Sequence, residues 1–263
     1  MPRRASRIIS NIGQAFAPRA RRAALAAAFA ALVLAASAVD ARAQRRMTKE
    51  YPAAPNVRLF LNNRSGSVTV EGWDKNRVKV TASMESGSTR VIPQVSGEGV
   101  TIDIERENRE DTGDVNFTIQ VPPESTVDIQ TKMGNITVRN VRGSIVRARV
   151  STEGDIELTG IRAQTVMAEN IRGNILFDAE LLNGGSYMLK SVEGDIQLRI
   201  TAEAGFRLTA VAPRTRSIDL GGFAGRGQFE FFNDRRKVVG KVGDGGASLN
   251  MTNGRGSIVF MQR

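Results

Sequence analysis

The chain has 263 residues, with 37 Lys and Arg against 27 Asp and Glu, and it contains neither cysteine nor histidine. The absence of both excludes zinc hydrolases, Ser-His-Asp triads and Cys-His pairs, and it leaves no disulfide to stabilise the fold. Residues 1–43 hold seven arginines and one aspartate, so +6 of the formal charge of +10 lies there and the remaining chain carries only +4. That balance does not point to a nucleic-acid partner.

The N-terminus predicts a secretory signal peptide. Residues 1–22 carry six arginines and no acid, residues 23–39 form an apolar run of 17 residues, and Ala41-Arg42-Ala43 supplies the small residues of a cleavage site. This order is typical of a signal that is cleaved between Ala43 and Gln44. The alternative is a retained membrane anchor, because 17 residues are at the lower limit for a span. We therefore expect an exported protein, located in the periplasm, at the cell surface or outside the cell, without a transmembrane span after signal removal.

Residues 44–55 are polar and interrupted by prolines, which is typical of a linker. From residue 56 onward, short runs of alternating β-forming residues follow one another, for example at 57–61 and 67–70. Such alternation places apolar side chains on one face of a strand and polar side chains on the other. We predict a single all-β domain over residues 56–263, in which residues 56–132 form a less regular part whose hairpins cover one end.

The centre of the chain, residues 133–220, repeats itself. A Gly-Asn/Asp-Ile triplet recurs with its glycines 20, 19 and 21 residues apart. A period in this range indicates a repeat array, and 20 residues leave no room for a helix in every unit, so we predict a right-handed parallel β-solenoid of about 20 residues per coil. Glycine suits the corner of a coil because it tolerates positive φ, and an Asn or Asp after it can bond its own backbone. The residues of this predicted structural turn column are Gly134, Asn135, Gly154, Asp155, Gly173, Asn174, Gly194 and Asp195.

Aligning the coils on their glycines predicts apolar columns inside the solenoid. One column contains Ile136, Ile156, Ile175, Ile196 and Ile218, and another contains Val146, Val166, Tyr187 and Phe206. In the turn column, neutral Asn alternates with charged Asp, which places carboxylates about two strand spacings apart, near 10 Å, instead of one. The alternation predicts that Asn174→Asp destabilises the fold.

Residues 221–263 are rich in glycine and are expected to form further strands. Asn253-Gly254 lies between two alternating runs, 248–251 and 257–260, and this pair predicts a two-residue hairpin turn. The basic run Arg235-Arg236-Lys237 is interpreted as a solvated loop, because no phosphate-loop spacing accompanies it.

Several segments, taken in order, carry a resemblance to a known family. They are residues 66–73 (GSVTVEGW), 117–122 (FTIQVP) and 127–131 (VDIQT), followed by Gly134-Asn135-Ile136 and the repeated Gly-x-Ile-x-Leu segments. The set resembles the bacterial exported proteins known as putative adhesins, and the resemblance covers residues 56–263. It implies a parallel β-solenoid outside the cytoplasm, with no assigned function and no catalytic residues to carry over.

Two chemical interpretations of the turn column stand beside the structural one. Asp155 and Asp195 would be the acids of a calcium ladder, but calcium needs six to eight oxygen ligands and its known solenoid repeat has nine residues. Glu153, Glu193 and the same aspartates, with Arg172 between them, would be the acids of a glycan-cleaving site, which needs carboxylates about 5–10 Å apart. We predict no catalytic, cofactor-binding or metal-binding residue.

The sequence favours a non-enzymatic interaction module of the cell envelope. A repeat array is first of all an extended surface, which would bind a glycan, the cell wall or a protein by area. The first alternative is a structural scaffold of the envelope that associates with itself through its ends. The lesser alternative is a polysaccharide-active β-helix enzyme.

Overall fold

The structure is a computed structural model and describes residues 45–86, 88–107, 113–213, 217–234 and 236–263. The predicted signal peptide at residues 1–43 and its cleavage site at Ala41, Ala43 and Gln44 lie outside the described residues, as does Arg235 of the basic run. Within the described part of the chain, no helix is both long enough and apolar enough to cross a bilayer.

Regular structure in the described residues is almost entirely β-strand, beside a four-residue helix at Ile104–Glu107 and a 3₁₀ turn at Gly221–Phe223. The strands follow from the alternation of apolar and polar residues, since the apolar members are buried and their neighbours face solvent. In chain order they are β1 (Arg45–Pro52), β2 (Arg58–Ser65), β3 (Val68–Gly72), β4 (Arg77–Met84), β5 (Gln94–Val95), β6 (Gly99–Asp103), β7 (Val115–Val121), β8 (Thr126–Met133), β9 (Ile136–Arg139), β10 (Ile145–Glu153), β11 (Ile156–Ile161), β12 (Thr165–Arg172), β13 (Ile175–Ala179), β14 (Ser186–Glu193), β15 (Ile196–Ile200), β16 (Phe206–Val211), β17 (Ile218–Asp219), β18 (Gly227–Phe232), β19 (Lys237–Val242), β20 (Ala247–Asn253) and β21 (Ile258–Gln262).

The strands form two sheets that share one apolar core. Sheet 1 has the order β1-β4-β7-β3-β9-β11-β13-β15-β21-β17, and sheet 2 has the order β18-β19-β16-β20-β14-β12-β10-β8-β2-β6-β5. In the centre, each coil is one strand of sheet 2 followed by one strand of sheet 1, and neighbouring coils pair in parallel. Ile136, Ile156, Ile175 and Ile196 are register partners and are buried, which contributes about 1.5–3 kcal/mol for each side chain. The predicted all-β parallel solenoid is confirmed.

The unequal glycine spacings have local causes. β10 contains a bulge between Val150 and Glu153 relative to both of its neighbours, β8 and β12. The bulge accounts for the extra residue in the spacing of 20 compared with that of 19. The spacing of 21 includes a longer turn at residues 180–185, between β13 and β14. The coils therefore stay in register although their lengths differ.

The order of the coils differs from the order of the chain at both ends of the array. In sheet 1, β21 lies between β15 and β17, so Ile258 separates Ile196 from Ile218. At the other end, β3 lies between β7 and β9, and β2 lies between β6 and β8 of sheet 2. The predicted placement of Ile218 directly beside Ile196 is wrong, because the C-terminal strand supplies the next coil.

Sheet 2 shows the same insertion near the C-terminus. β20 lies between β14 and β16, so the partner of Tyr187 is Leu249. Phe206 of β16 lies opposite Ala247, at the start of β20. The predicted stacking of Phe206 on Tyr187 is therefore wrong, both in the neighbouring strand and in the register.

The hairpin predicted at Asn253-Gly254 is also wrong. β20 belongs to sheet 2 and β21 to sheet 1, so this turn joins the two sheets at a corner instead of joining two paired strands. Asn253 is buried there, and its Nδ2 donates to the Gly194 carbonyl at 2.6 Å. An Asn-Gly pair favours a tight turn, but it does not specify whether the strands that it joins pair with each other.

Antiparallel strands cover both ends of the array. β4 pairs with β7, and β1 pairs with β4. Residues 45–52 therefore form a strand, and this corrects the prediction that residues 44–55 are a linker. Met47 and Tyr51 pack against the core and give this polar segment an apolar inner side. At the other end, β19 pairs with β16 and β18 with β19. These strands pair backbone groups that the last parallel coils would otherwise expose.

Candidate interaction surface

The glycines of the predicted turn column lie at the corner where sheet 2 gives way to sheet 1. Gly134, Gly154, Gly173 and Gly194 have positive φ values between +112° and +152°. A Cβ atom at Gly173 would lie 2.3 Å from the carbonyl oxygen of Gly154, and the same close approach to the adjacent coil recurs along the column. This corner requires glycine both for its backbone conformation and for the contact between neighbouring backbones.

The Asn and Asp residues of the column form a hydrogen-bonded ladder between coils. The Asp155 N–H donates to Asn135 Oδ1 at 2.9 Å, and the Asn174 N–H donates to Asp155 Oδ1 at 2.7 Å. The ladder continues from Asp195 N–H to Asn174 Oδ1 at 2.9 Å and from Ser257 N–H to Asp195 Oδ1 at 2.7 Å. The bonds to carboxylates are the shorter ones, as expected for charge-assisted hydrogen bonds. Each side chain therefore holds the next coil, whereas the sequence predicted a bond to its own turn.

The acids beside the corner also hold neighbouring coils together. Glu153 pairs with Arg172, and Glu193 pairs with Arg255, each with an N–O distance of 3.8 Å. The charge before the corner glycine thus alternates in sign over Glu153, Arg172, Glu193 and Arg255, whereas Met133 before Gly134 is neutral. The acids that the sequence grouped for glycan cleavage do lie along this corner. Glu153 and Glu193 are engaged in ion pairs, and Asp155 and Asp195 accept the hydrogen bonds of the ladder. Among the described residues, no three acidic, histidine or cysteine side chains gather as a metal site requires.

A row of buried asparagines, which the sequence analysis missed, supports the corner from inside. Asn63, Asn170 and Asn253 are almost fully buried. Asn170 Nδ2 donates to the Gly154 carbonyl at 3.2 Å, and Asn63 Nδ2 donates to the Val115 carbonyl at 3.0 Å. Each asparagine comes three residues before a corner glycine, so an Asn-x-x-Gly spacing is the sequence signal for this role. The amides provide donors for backbone carbonyls that are turned into the core.

The outer faces of both sheets carry opposite charges one coil apart. Because exposed ion pairs contribute only about 0–1 kcal/mol each, these rows define the chemistry of the surface more than its stability. They give each face a continuous polar surface that spans several coils. The pairs are Arg147–Asp128 at 2.6 Å and Arg149–Glu169 at 3.4 Å on sheet 2, with Arg139–Glu157 at 3.2 Å and Arg199–Asp178 at 3.6 Å on sheet 1.

A shallow depression of about 250 Å³ lies on the outer face of sheet 2, beside the bulge of β10. Ile171 and Val192 are 43% and 36% exposed at this place, next to charged neighbours. The side chains that line the depression include Gln130, Arg149, Glu169, Ile171, Lys190 and Val192. Apolar contact area bordered by hydrogen-bonding groups is the usual composition of a recognition surface. We take the outer face of sheet 2 as the candidate interaction surface.

The displaced pKa values of Tyr187 and Glu105 have structural causes. Burial raises the pKa of Tyr187, whose hydroxyl accepts from the Leu182 N–H at 2.7 Å and donates to the Ala163 carbonyl at 3.1 Å. A hydrogen bond from Lys132 lowers the pKa of Glu105. Both side chains connect segments that are separated in the chain. Such structural contacts displace pKa values as catalytic sites do, so these two shifts do not mark a catalytic site.

These features define the class of the protein, a β-solenoid whose chemistry is carried by exposed faces and corners. The Toastrack DUF4097 family matches residues 62–212, more than half of the chain, and the chain belongs to this family. The family resemblance predicted from the sequence is confirmed. No curated protein is similar enough to the chain to count as a match.

Solved structures are similar to the chain at low sequence identity. A putative cell adhesion protein from Clostridium sporogenes has 13% identity and a TM-score of 0.52, over 84% of this chain and 100% of that protein. A putative adhesin from Bacteroides fragilis has 10% identity and a TM-score of 0.34, over 82% of this chain and 97% of that protein. At such identity, the first similarity supports the fold alone.

Proposed function

We propose that the chain is an exported, non-enzymatic, adhesin-like module of the cell envelope that binds a glycan, the cell wall or a protein through its extended β surface. The observation that carries the proposal is the outer face of sheet 2, where paired charges and exposed Ile171 and Val192 continue from coil to coil. A standard interface buries about 800 Å² on each partner, which a face of several coils can provide without a deep pocket. The engagement of the corner acids in coil-to-coil contacts favours binding over glycan cleavage.

The test is an array of glycans, wall fragments and intact cells probed with residues 44–263. We expect retention of the wild-type protein on at least one class of envelope ligand and no release of reducing ends from polysaccharides. Binding should fall when the face of sheet 2 is altered by Ile171→Glu and Val192→Glu, and it should persist when the exposed Ile92, which lies between β4 and β5, is changed to Glu as a control. No detectable binding to any ligand of the array would contradict the proposal, and so would the release of sugar fragments.

The export part of the proposal has its own measurement. The N-terminal pattern supports cleavage between Ala43 and Gln44, so the mature protein recovered from the cell envelope should begin at Gln44. Mass spectrometry of the intact mature protein distinguishes this N-terminus from the one left by a retained anchor. Recovery of the full-length chain from the membrane fraction would contradict cleavage.

A second candidate function is an envelope scaffold that associates with itself, and β18 favours it. Among the strands of the described residues, this six-residue strand pairs only with β19, at the edge of sheet 2, and its Phe231 and Phe232 are 46% and 44% exposed. A long edge strand with exposed aromatic residues is a template for strand addition. Sedimentation of residues 44–263 should then show concentration-dependent oligomers, which Phe232→Lys should weaken. A monomer at every concentration would exclude this function.

A further inference from the structure

Two cations lie directly opposite each other near the C-terminal end of sheet 2. Arg207 of β16 is the register partner of Lys241 of β19 in their antiparallel pairing. It is the only pair of like charges among the cross-strand partners of the described residues. Elsewhere, facing charges have opposite signs, as in Arg149 with Glu169 or Asp178 with Arg199. Like charges that face each other across two strands destabilise a sheet, so this arrangement differs from the rest of the surface.

Neither cation forms an ion pair with an acid of the described residues. Both side chains are exposed, and within the described residues neither makes an ion pair or a side-chain hydrogen bond. By contrast, Arg147 and Arg149 of β10, in the central part of the same sheet, are paired with acids on the adjacent strands. The two cations are therefore available to a ligand, and an anion bound between them would remove their repulsion.

The turn between β19 and β20 brings the two side chains together. Gly245 has a φ of +70°, and a Cβ atom there would lie 2.8 Å from Lys241 Cε and 3.2 Å from Arg207 Cγ. The aliphatic parts of both side chains thus pack against the same glycine. This packing restricts both stems and limits the entropy that the side chains lose when they bind.

The cations lie in a broad basin of about 620 Å³ on the outer face of sheet 2. Its other polar lining comes from Thr209, Gln228, Glu230 and Ser248. Hydroxyl, amide and carboxylate groups of this kind exchange hydrogen bonds with the hydroxyls of a sugar. Glu230 would repel a second anionic group placed beside it, but it can accept a hydrogen bond from a neutral hydroxyl. The basin therefore favours a ligand that carries both an acid group and hydroxyls.

We infer that Arg207 and Lys241 bind a carboxylate of an acidic polysaccharide, whose hydroxyls contact Gln228, Glu230 and Ser248. The inference rests on the proposed function and narrows its ligand class to a polyuronate. No bond is made or broken in this step. The two cations hold the carboxylate by charge-assisted hydrogen bonds, and the open basin allows the polymer to continue on both sides.

The test compares residues 44–263 with two double variants on immobilised alginate and polygalacturonate. The first variant, Arg207→Gln with Lys241→Gln, removes the proposed site. The matched control, Arg46→Gln with Lys49→Gln, removes one exposed arginine and one exposed lysine from β1, at the edge of sheet 1. Wild type and control should bind both polyuronates and ignore neutral dextran, and the site variant should bind about tenfold more weakly or worse. The site variant should melt at or above the wild-type temperature, since it removes a repulsion, so its loss of binding cannot be ascribed to unfolding.

Three results would overturn the inference. These are no polyuronate binding by the wild type, equal weakening by both double variants, and preferential binding to vesicles of phosphatidylcholine with phosphatidylglycerol. If the wild type binds other ligands of the envelope array but no polyuronate, the inference fails while the proposed function stands. If the wild type binds nothing on that array, the proposed function itself fails.

Discussion

The substitution Asn174→Asp tests the coil-to-coil ladder most directly. Asn174 lies between Asp155 and Asp195, accepting from the Asp195 N–H and donating its own N–H to Asp155 Oδ1. A carboxylate at this position keeps an acceptor oxygen, so the substitution changes charge with little change in shape. Neighbouring parallel strands are about 4.8 Å apart. At that distance two carboxylates repel by about 1 kcal/mol in water and by more at a lower dielectric constant, so two neighbours should cost about 2 kcal/mol.

Urea unfolding at neutral pH measures this cost, and its pH dependence identifies the cause. Repulsion raises the pKa of the introduced carboxyl above its unfolded value of about 3.9. The destabilisation is therefore fully present above the folded pKa and disappears as the pH falls below the unfolded value. The difference between variant and wild type should also shrink in high salt, because the corner is exposed.

A double-mutant cycle with Asp155→Asn isolates the pairwise term. Asp155→Asn keeps the acceptor for the Asn174 N–H but removes one of the two neighbouring charges. In that background, Asn174→Asp should cost about 1 kcal/mol less than in the wild type. A coupling energy indistinguishable from zero, or a loss of stability that persists at low pH, would refute the argument from charge alternation.

Three further predictions concern the fold. Gly173→Ala should lower the melting temperature strongly, since its Cβ would lie 2.3 Å from the Gly154 oxygen, whereas Gly225→Ala, with nothing within 4 Å, should leave it unchanged. Tyr187→Phe should reduce the free energy of unfolding by about 1–3 kcal/mol, because two backbone groups lose a buried hydroxyl partner. In an NMR titration, Glu105 should protonate below its usual range, and the small stability from its lysine contact should be present above the unfolded pKa and lost as pH falls through the folded one.

The centre of the fold can be predicted from the sequence because its coils are neighbours both in the chain and in space. Aligning Gly134, Gly154, Gly173 and Gly194 therefore also gives the strand register, and the isoleucines that follow them pair as expected. The direction of the ladder could not be predicted in the same way. An Asn or Asp side chain after a corner glycine can reach its own turn or the next coil, and only the distance between coils decides between them.

The ends of the array escape prediction for a different reason. Ile218 and Ile258 both fit the aliphatic column, and nothing local in the sequence specifies which of them lies beside Ile196. Long-range strand pairing places Ile258 beside Ile196. β20 and β21 together form a complete coil, which lies between the coil of β14 and β15 and the coil of β16 and β17. The strand at residues 45–52 was missed because its apolar positions, Met47 and Tyr51, are too sparse to outweigh the polar composition.

The reversal of strand direction at the C-terminal end is also what creates the cationic basin. Within the parallel coils, each position faces its equivalent in the next repeat, so alternation of sign along a column places opposite charges beside each other, as for Arg149 and Glu169. β19 runs antiparallel to β16, and Lys241 therefore faces Arg207 through a register that the repeat does not control. The alternation of charge that pairs side chains in the centre therefore does not extend to the capping strands. That is the part of a solenoid where an uncompensated charge can be kept for a ligand without disturbing the stacking of the coils.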